Sequence, residues 1–417
     1  MRSLSNLSRK KLCYHDIWCH IHSLMTLRDA ARAACISHAF RSSWKCYTNL
    51  TFNIQTIVLP DGMDFTYRVD YILKKTLRHW LVKPGIEKLT LVMPEREAVS
   101  FPCHVLFNGN GSSIWYLQLT DCSFHPTVSL GCLRLTCLTV LHLEVRFSSC
   151  VALERLELSR CFDITCLKIP FQLQRLSNLH VLICPKLQMI KIEAPNIYRF
   201  RFITFGQVEV SLGESLRLKN LEMFDCRPLC YALEELPSIA PNLETFSIYS
   251  PREVVNTRMA LAPSKFLHLK YLSISIHVHG DYDYFSLVSF LGAAPSFETF
   301  ILNVQTQLEH TNELLSEDPS HLRKMLGCRH DKLKEVKISR FYPSKSLVEL
   351  TCHILETTSS LECLTLDTAG GGLRCSDREF CKYSFLDRTK EARKAVLVIR
   401  KYIVGKVRSR VKLDAVE

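Results

Sequence analysis

The chain has 417 residues, 47% of them hydrophobic and 23% charged, with only 14 Gly and 16 Pro. That balance excludes a disordered, collagen-like or low-complexity polymer, and the length allows two or three globular domains or one long repeat array. Lys and Arg number 53 against 41 Asp and Glu, a net charge of +12 that permits acidic partners without requiring them.

Residues 1–11 read as a disordered basic leader carrying Arg2, Arg9, Lys10 and Lys11. No apolar h-region follows, so no signal peptide is expected. The 19 cysteines are odd in number and scattered among leucines, unlike the fixed-offset clusters of a secreted disulfide fold. No apolar run reaches the roughly 20 residues of a membrane helix. The expected compartment is therefore reducing: cytoplasm and/or nucleus.

Residues 12–50 read as a small helical module. Ile17, Ile21 and Leu24 fall at i, i+4 and i+7, one apolar stripe on a short helix. Thr26 followed by Asp29 fits a capping box opening a second helix, Leu27 to about Ser37. Ser37 would cap a third, His38 to Lys45, containing Phe40 and Trp44. Three helices this short bury too little surface to stand alone, so the stripe points to a packing partner.

Residues 51–85 are expected to link this module to the array and cap its start, and from 86 to 376 one frame dominates. It reads apolar-x-x-apolar-x-apolar, as in Ile86/Leu89/Leu91, Ile114/Leu117/Leu119, Leu138/Leu141/Leu143 and Leu153/Leu156/Leu158. It recurs through Leu269/Leu272/Ile274 to Leu361/Leu364/Leu366. The inner pair, two apart, points to one face of a strand, and most intervals match a leucine-rich-repeat period. Between residues 156 and 202 the interval halves, too short for a strand plus a helix, which predicts strand-and-turn half-repeats on two surfaces. Helices are expected at Tyr282–Leu291 and Ser346–Glu356. Cys122, Cys161, Cys184 and Cys226 each stand three residues past a frame, where such repeats place Asn or Cys to satisfy backbone groups.

Positions alternating with the frame face outward. They include Trp115, Tyr116, Gln118, His142, Glu144, Arg155, Glu157, Tyr271, Ser273 and Ser275. Trp115, Tyr116, Arg155 and Tyr271 are the candidate contacts for a protein target, since aromatic and Arg side chains dominate interface energetics. Residues 377–417 are expected to cap the array with a helix whose apolar stripe is Ala392, Ala395, Val396, Ile399 and Ile403, followed by an extended stretch. The basic side chains there offer an alternative, a phosphate-binding surface.

Nothing in the spacing marks a catalytic centre, a metal site or a cofactor site. His15, Cys19 and His22 share a helical face but lack a fourth ligand. Asn108–Ser113 and Gly370–Gly372 are Gly-rich without the continuation of a phosphate loop, and no hydrolase, metalloprotease or kinase motif is present.

Asp16-Ile17-Trp18-Cys19-His20-Ile21-His22-Ser23-Leu24-Met25 and the stretch from Leu27 to Trp44 resemble an F-box, the adaptor-docking motif of SCF-type ubiquitin ligases. With Leu153–Cys161 and Ala194-Pro195-Asn196-Ile197, the whole chain is similar to the plant F-box/leucine-rich-repeat (FBD-like) family. The resemblance implies an α/β fold: a three-helix module, a curved leucine-rich-repeat solenoid, and a C-terminal cap that is FBD-like. It implies a non-catalytic substrate-recognition subunit without cofactors. A Skp-type adaptor of a cullin-based ligase would dock on Ile17, Ile21, Leu24 and Leu27, and the concave strand face would select a target protein. Cys13-Tyr14 stands where the family has Leu-Pro, and Thr26 where it often has a second Pro. Two alternatives remain: a repeat scaffold with a degenerate F-box, and a nucleic-acid-binding protein using the basic C-terminal face.

Overall fold

The computed structural model describes residues 17–18, 20–21, 24–25, 27–38, 49–53, 56, 67–68, 87–92, 99–100, 114–120, 122–124, 137–140, 142–143, 151–161, 164–204, 207–213, 217–224, 229–253, 265–278, 282–306, 322–323, 329–368 and 392–416. The chain divides into two compact units, Met1–Leu187 and Gln188–Glu417.

In the first unit, residues 17–18, 20–21 and 24 are helical, and helix α1 spans Leu27–Ile36. Of the expected third helix only His38, itself helical, is described; the rest, with Cys13, Tyr14, Phe40 and Trp44, lies outside the described residues. A parallel ladder then joins β1 (Asn49–Phe52), β2 (Lys88–Val92), β4 (Tyr116–Thr120), β6 (Cys137–Val140), β8 (Arg155–Ser159) and β10 (Asn178–Leu182). A second, short ladder joins β3 (Val99–Ser100), β5 (Cys122–Phe124) and β7 (His142–Leu143). β9 (Cys166–Ile169) also runs outside the main ladder.

The expected frame holds along this ladder with one slip. Leu117 pairs in register with Leu138 and Leu138 with Leu156. Leu138 is thus an inner strand residue and not the leading one, and the inner partner two residues on is Val140, aligned with Leu158. His142 and Leu143 belong to the second ladder, opposite Ser123 and Phe124. With leucine at 138, 141 and 143, two registers fit the frame equally, and pairing with the neighbouring strands selects one. β1, with Leu50 and Phe52 buried, was not anticipated by the frame.

The half-interval repeats are strand-and-turn units. Leu153, Leu156 and Leu158 are buried on β8, and Ile164, Leu167 and Ile169 are buried around β9. Each 23-residue step, the separation of Glu154 and Ser177 across neighbouring repeats, therefore holds two strands and no helix. At the strand exit the residue before the cysteine is left-handed, Arg160 at φ 55° and Ile183 at φ 54°. The next residue turns inward: Cys161 and Cys184 are buried, their thiols reaching the carbonyls of Ser159 at 3.9 Å and Leu182 at 3.6 Å. That is the expected role of these cysteines. The side chains at Cys122 and Cys226 lie outside the described residues.

The second unit continues the scheme and then thickens. β11 (Met189–Ile192) and β13 (Glu209–Leu212) pair in parallel outside the main ladder. Gly213 closes that turn: its N–H donates to the Ile192 carbonyl at 2.8 Å, and a Cβ there would lie 2.8 Å from the same oxygen. The main ladder runs through β12 (Arg199–Ile203), β14 (Asn220–Phe224), β15 (Thr245–Glu253), β16 (Tyr271–Val278), β17 (Thr299–Thr306), β18 (Glu335–Ser339), β19 (Cys363–Asp367) and β20 (Lys412–Val416). One row of its buried face is Phe200, Leu221, Phe246, Leu272, Phe300, Val336 and Leu364, all in register.

Helices back this part. α2 (Leu229–Ile239) precedes β15 and buries Leu229, Leu233 and Leu236. A 3₁₀ turn, Tyr284–Leu287, runs into α3 (Val288–Ala293), and α4 spans Lys345–Thr357, both where helices were expected. α4 is buried from Ser346 to Leu355, including Glu349. The C-terminal helix occupies residues 392–398 and continues as a π turn, Ile399–Ile403. It buries Ala395, Val398, Ile399, Tyr402 and Ile403; Val398 and Tyr402, outside the expected stripe, complete the ordinary i, i+3, i+4, i+7, i+8 face of a helix. The extended stretch expected after the helix is β20, which pairs with β19.

One further row holds this ladder in register. The residue before each strand offers a carbonyl that accepts two N–H groups from the next repeat: Lys219 from Glu244 and Thr245, Glu244 from Lys270 and Tyr271, Glu298 from Lys334 and Glu335. Along this row the charges alternate as Lys219, Glu244, Lys270, Glu298, Lys334 and Glu362. Lys219 meets Glu244 at 2.7 Å and Lys334 meets Glu298 at 3.7 Å. The ammonium of Lys219, ahead of the more distant Lys270, holds the Glu244 carboxyl below its ordinary value.

Candidate functional site

A parallel ladder with one packed face presents every second side chain to solvent in straight cross-strand rows. In the first unit Lys88, Tyr116, Arg155 and Asn178 fall in one row, and Thr90, Gln118, Glu157 and His180 in the next. Tyr116 and Arg155, both candidate contacts, thus share a row two strands apart. Trp115 joins them at the strand start: its ring lies 6.2 Å from Tyr116 edge-on, with the Lys88 ammonium 4.9 Å above it. The Tyr116 hydroxyl donates to Gln118 Oε1 at 2.8 Å, and His180 Nδ1 lies 3.7 Å from the Glu157 carboxylate. His142, expected on this face, is in the second ladder, and Glu144 lies outside the described residues.

Tyr271, the fourth candidate, is in the second unit, in the row Arg199, Asn220, Thr245, Tyr271, Thr299. Beside it lies a groove of about 400 Å³ over β14, β15 and β16, lined by Glu222, Phe224, Ser247, Tyr249, Ser273 and Ser275. Phe224 and Tyr249 stack at 4.8 Å and 19° to form its wall. Tyr249 donates to Gln305 Oε1 at 3.2 Å, and Asn303 Nδ2 donates to Ser275 Oγ at 3.0 Å. These bonds fix the polar groups before any partner arrives, so contact costs little side-chain entropy. Arg201 closes the rim through Glu222 at 3.1 Å.

Ser273 and Ser275 were anticipated; Phe224, Tyr249, Asn303 and Gln305 were not. Phe224, Tyr249 and Asn303 each directly follow the last apolar residue of a frame, Met223, Ile248 and Leu302, and that position is the signal that finds them. Gln305 lies two residues further along β17, which outruns the frame.

At the N-terminus Ile17 is 43% and Leu24 74% exposed, and Ile36 at the end of α1 is 85% exposed. Ile21 is half-buried, and the Leu27 side chain lies outside the described residues. Among the described residues no three His, Cys, Asp or Glu side chains gather as a metal site, and no helix is long and apolar enough to cross a membrane. His15, Cys19, His22 and both Gly-rich stretches lie outside them.

These features define a parallel α/β repeat protein, an architecture that supports a protein-interaction scaffold. The chain belongs to the family described as the At1g61320/AtMIF1 leucine-rich-repeat domain, whose family model matches residues 58–417. No curated protein matches it at a significant level. Among solved structures it is similar to the LRR protein LIC12759 of Leptospira interrogans, at 12% identity over 93% of this chain and 98% of that one, with a TM-score of 0.31. The family model supports the leucine-rich-repeat part of the expected family; the F-box segment precedes the residues it matches.

Proposed function

We propose that this protein is a non-catalytic, cofactor-free substrate-recognition subunit of an SCF-type ubiquitin ligase, acting in the cytoplasm and/or nucleus. A Skp-type adaptor docks on the N-terminal helical module through Ile17, Ile21, Leu24 and Leu27. The open face of the main ladder holds the target protein through Trp115, Tyr116 and Arg155 in the first unit, and Tyr271 with the adjoining groove in the second.

The observation that carries this reading is the exposure of Ile17 and Leu24 in a helical segment that resembles an F-box. Large apolar side chains left in water beside a helix point to a partner that covers them. The target face is supported by Trp115, whose packing under Lys88 makes it a rigid aromatic anchor of the type that dominates interfaces. Co-purification from a cell extract tests the adaptor: it should come down with the parent chain and be lost with Leu24→Asp, whose exposed position leaves the fold intact. An adaptor retained by Leu24→Asp would refute the docking surface.

A second reading, a repeat scaffold that no longer recruits a ligase, draws on Cys13-Tyr14 in place of Leu-Pro. It expects no adaptor with either chain.

A further inference from the structure

The C-terminal residues 392–416 carry eight basic side chains and one acidic one, Asp414, a net +7 of the whole chain's +12. Lys406 is neutralised by Glu356 at 2.7 Å and Lys412 by Asp414 at 2.9 Å. Arg393, Arg400, Arg408 and Arg410 are exposed and have no ion pair among the described residues. Between the first and third of them stand two exposed apolar side chains, Leu397 at 51% and Val404 at 46%. They lie seven residues apart in sequence, on either side of the π turn, with Arg400 and Lys401 between them. The buried side of the same helix is already used by Val398, Ile399, Tyr402 and Ile403, so this outward side is not needed for the core.

We propose that this surface binds an acidic protein segment with two apolar side chains spaced to meet Leu397 and Val404. The cationic frame supplies charge complementarity and steers the encounter, and the apolar pair supplies the desolvated contacts that hold the complex. A nucleic acid would use the arginines but not Leu397 and Val404, and the one aromatic ring between residues 392 and 416, Tyr402, is buried and not offered for base stacking. An anionic bilayer needs a wide apolar face, and two side chains do not make one. This proposal uses none of the residues named for the proposed ligase function and stands if that function fails.

The test is a fluorescence-anisotropy titration of the full chain at about 0.1 M salt with a labelled glutamate-rich peptide carrying two leucines seven positions apart. The same peptide with serines for the leucines, a single-stranded RNA oligomer and phosphatidylserine vesicles run beside it. The leucine peptide should bind at least about tenfold tighter than the serine peptide, the RNA or the vesicles. Arg400→Glu with Arg408→Glu should weaken it by about tenfold or more, and Leu397→Ser with Val404→Ser should make the two peptides equal. All four positions are exposed, and unchanged melting of each variant, with Arg400→Gln as a milder check, separates lost binding from lost fold. Preference for RNA or vesicles, equal binding of both peptides to the parent, or no binding of any probe would each overturn the proposal.

Discussion

The repeats at 153–184 and those from 229 onward solve one problem in two ways. Both need a second layer behind the main ladder. The former supply it with another strand, β9, and short turns, so each repeat is closed by leucines and one inward cysteine. The latter supply it with helices, which demands a longer step, such as the 28 residues between Ser275 and Asn303. The helical layer is thick enough to bury polar groups that the strand-backed repeats have no room for: Glu349, Thr351, His330 and His353 are all buried. A thin repeat depends on apolar fit alone. A thick one also depends on each buried polar group finding its partner.

The sharpest way to break that contrast is at Arg323, between β17 and β18. Its Nε donates to Glu349 Oε2 at 2.7 Å, its backbone N–H to Oε1 at 2.9 Å, and its remaining nitrogens clasp Asp283 at 2.6 and 2.9 Å. Arg323→Ala strands a fully buried carboxylate and should cost about 3–5 kcal/mol in denaturant unfolding. Adding Glu349→Leu should recover most of it. A cost below about 1 kcal/mol would mean that Glu349 does not need its cation.

Leu156→Ala in the strand-backed region and Leu272→Ala in the helix-backed one remove equally buried side chains, each at about 2–5 kcal/mol. Hydrogen exchange should show the first loosening residues 153–184 and the second residues 245–306, because repeats lean on their nearest neighbours. Identical, chain-wide loosening would contradict the repeat-by-repeat view.

Acid should separate the regions too. Burial, with His353 beside it, pushes His330 down to about 4, and burial lowers His353 as well; the Nε2 atoms of both are buried with no hydrogen-bond partner among the described residues. Folded imidazoles that resist protonation make the unfolded chain the better proton binder below its ordinary value near 6.5. Their contribution is complete above that pH and is lost as the pH falls toward 4, about 2–3 kcal/mol for His330. His330→Phe should flatten this slope in melting curves taken across that window, and an unchanged slope would place the proton uptake elsewhere.

The smallest effect belongs to the alternating row. Glu244→Lys sets three like charges in sequence at 219, 244 and 270, and should lower the melting temperature slightly at low salt and not at all in molar salt. A loss indifferent to salt would show that the row acts by packing and not by charge.

Much of this was legible in the sequence because a strand with one packed face writes its pattern in leucines. The frame gave the inner pairs from Leu89 to Leu366, the halved interval gave the two-strand repeats, and the offset of Cys161 and Cys184 gave the strand exit. It failed at Leu138, where leucine density made two registers equal and only the neighbouring strands decide. α2 went unread because Pro237 lies inside it, although Leu229, Leu233 and Leu236 form a helical stripe around the exposed Glu234 and Glu235. The groove was half legible: Ser273 and Ser275 follow from alternation, whereas the stacking of Phe224 on Tyr249 depends on which strands are neighbours. The partnership of Arg323 with Glu349 joins residues 26 apart and leaves no local trace.

The central claim is that an adaptor docks on the apolar N-terminal stripe, and calorimetric titration of a purified Skp-type adaptor tests it most directly. The parent chain should bind. Cys13→Leu with Tyr14→Pro should tighten binding by restoring an apolar contact and a preset backbone angle, together about 2–4 kcal/mol. Ile17→Asp, at an exposed position, should abolish binding without changing the melting temperature. Heat of binding that is absent for the parent and for the restored chain alike would contradict the account.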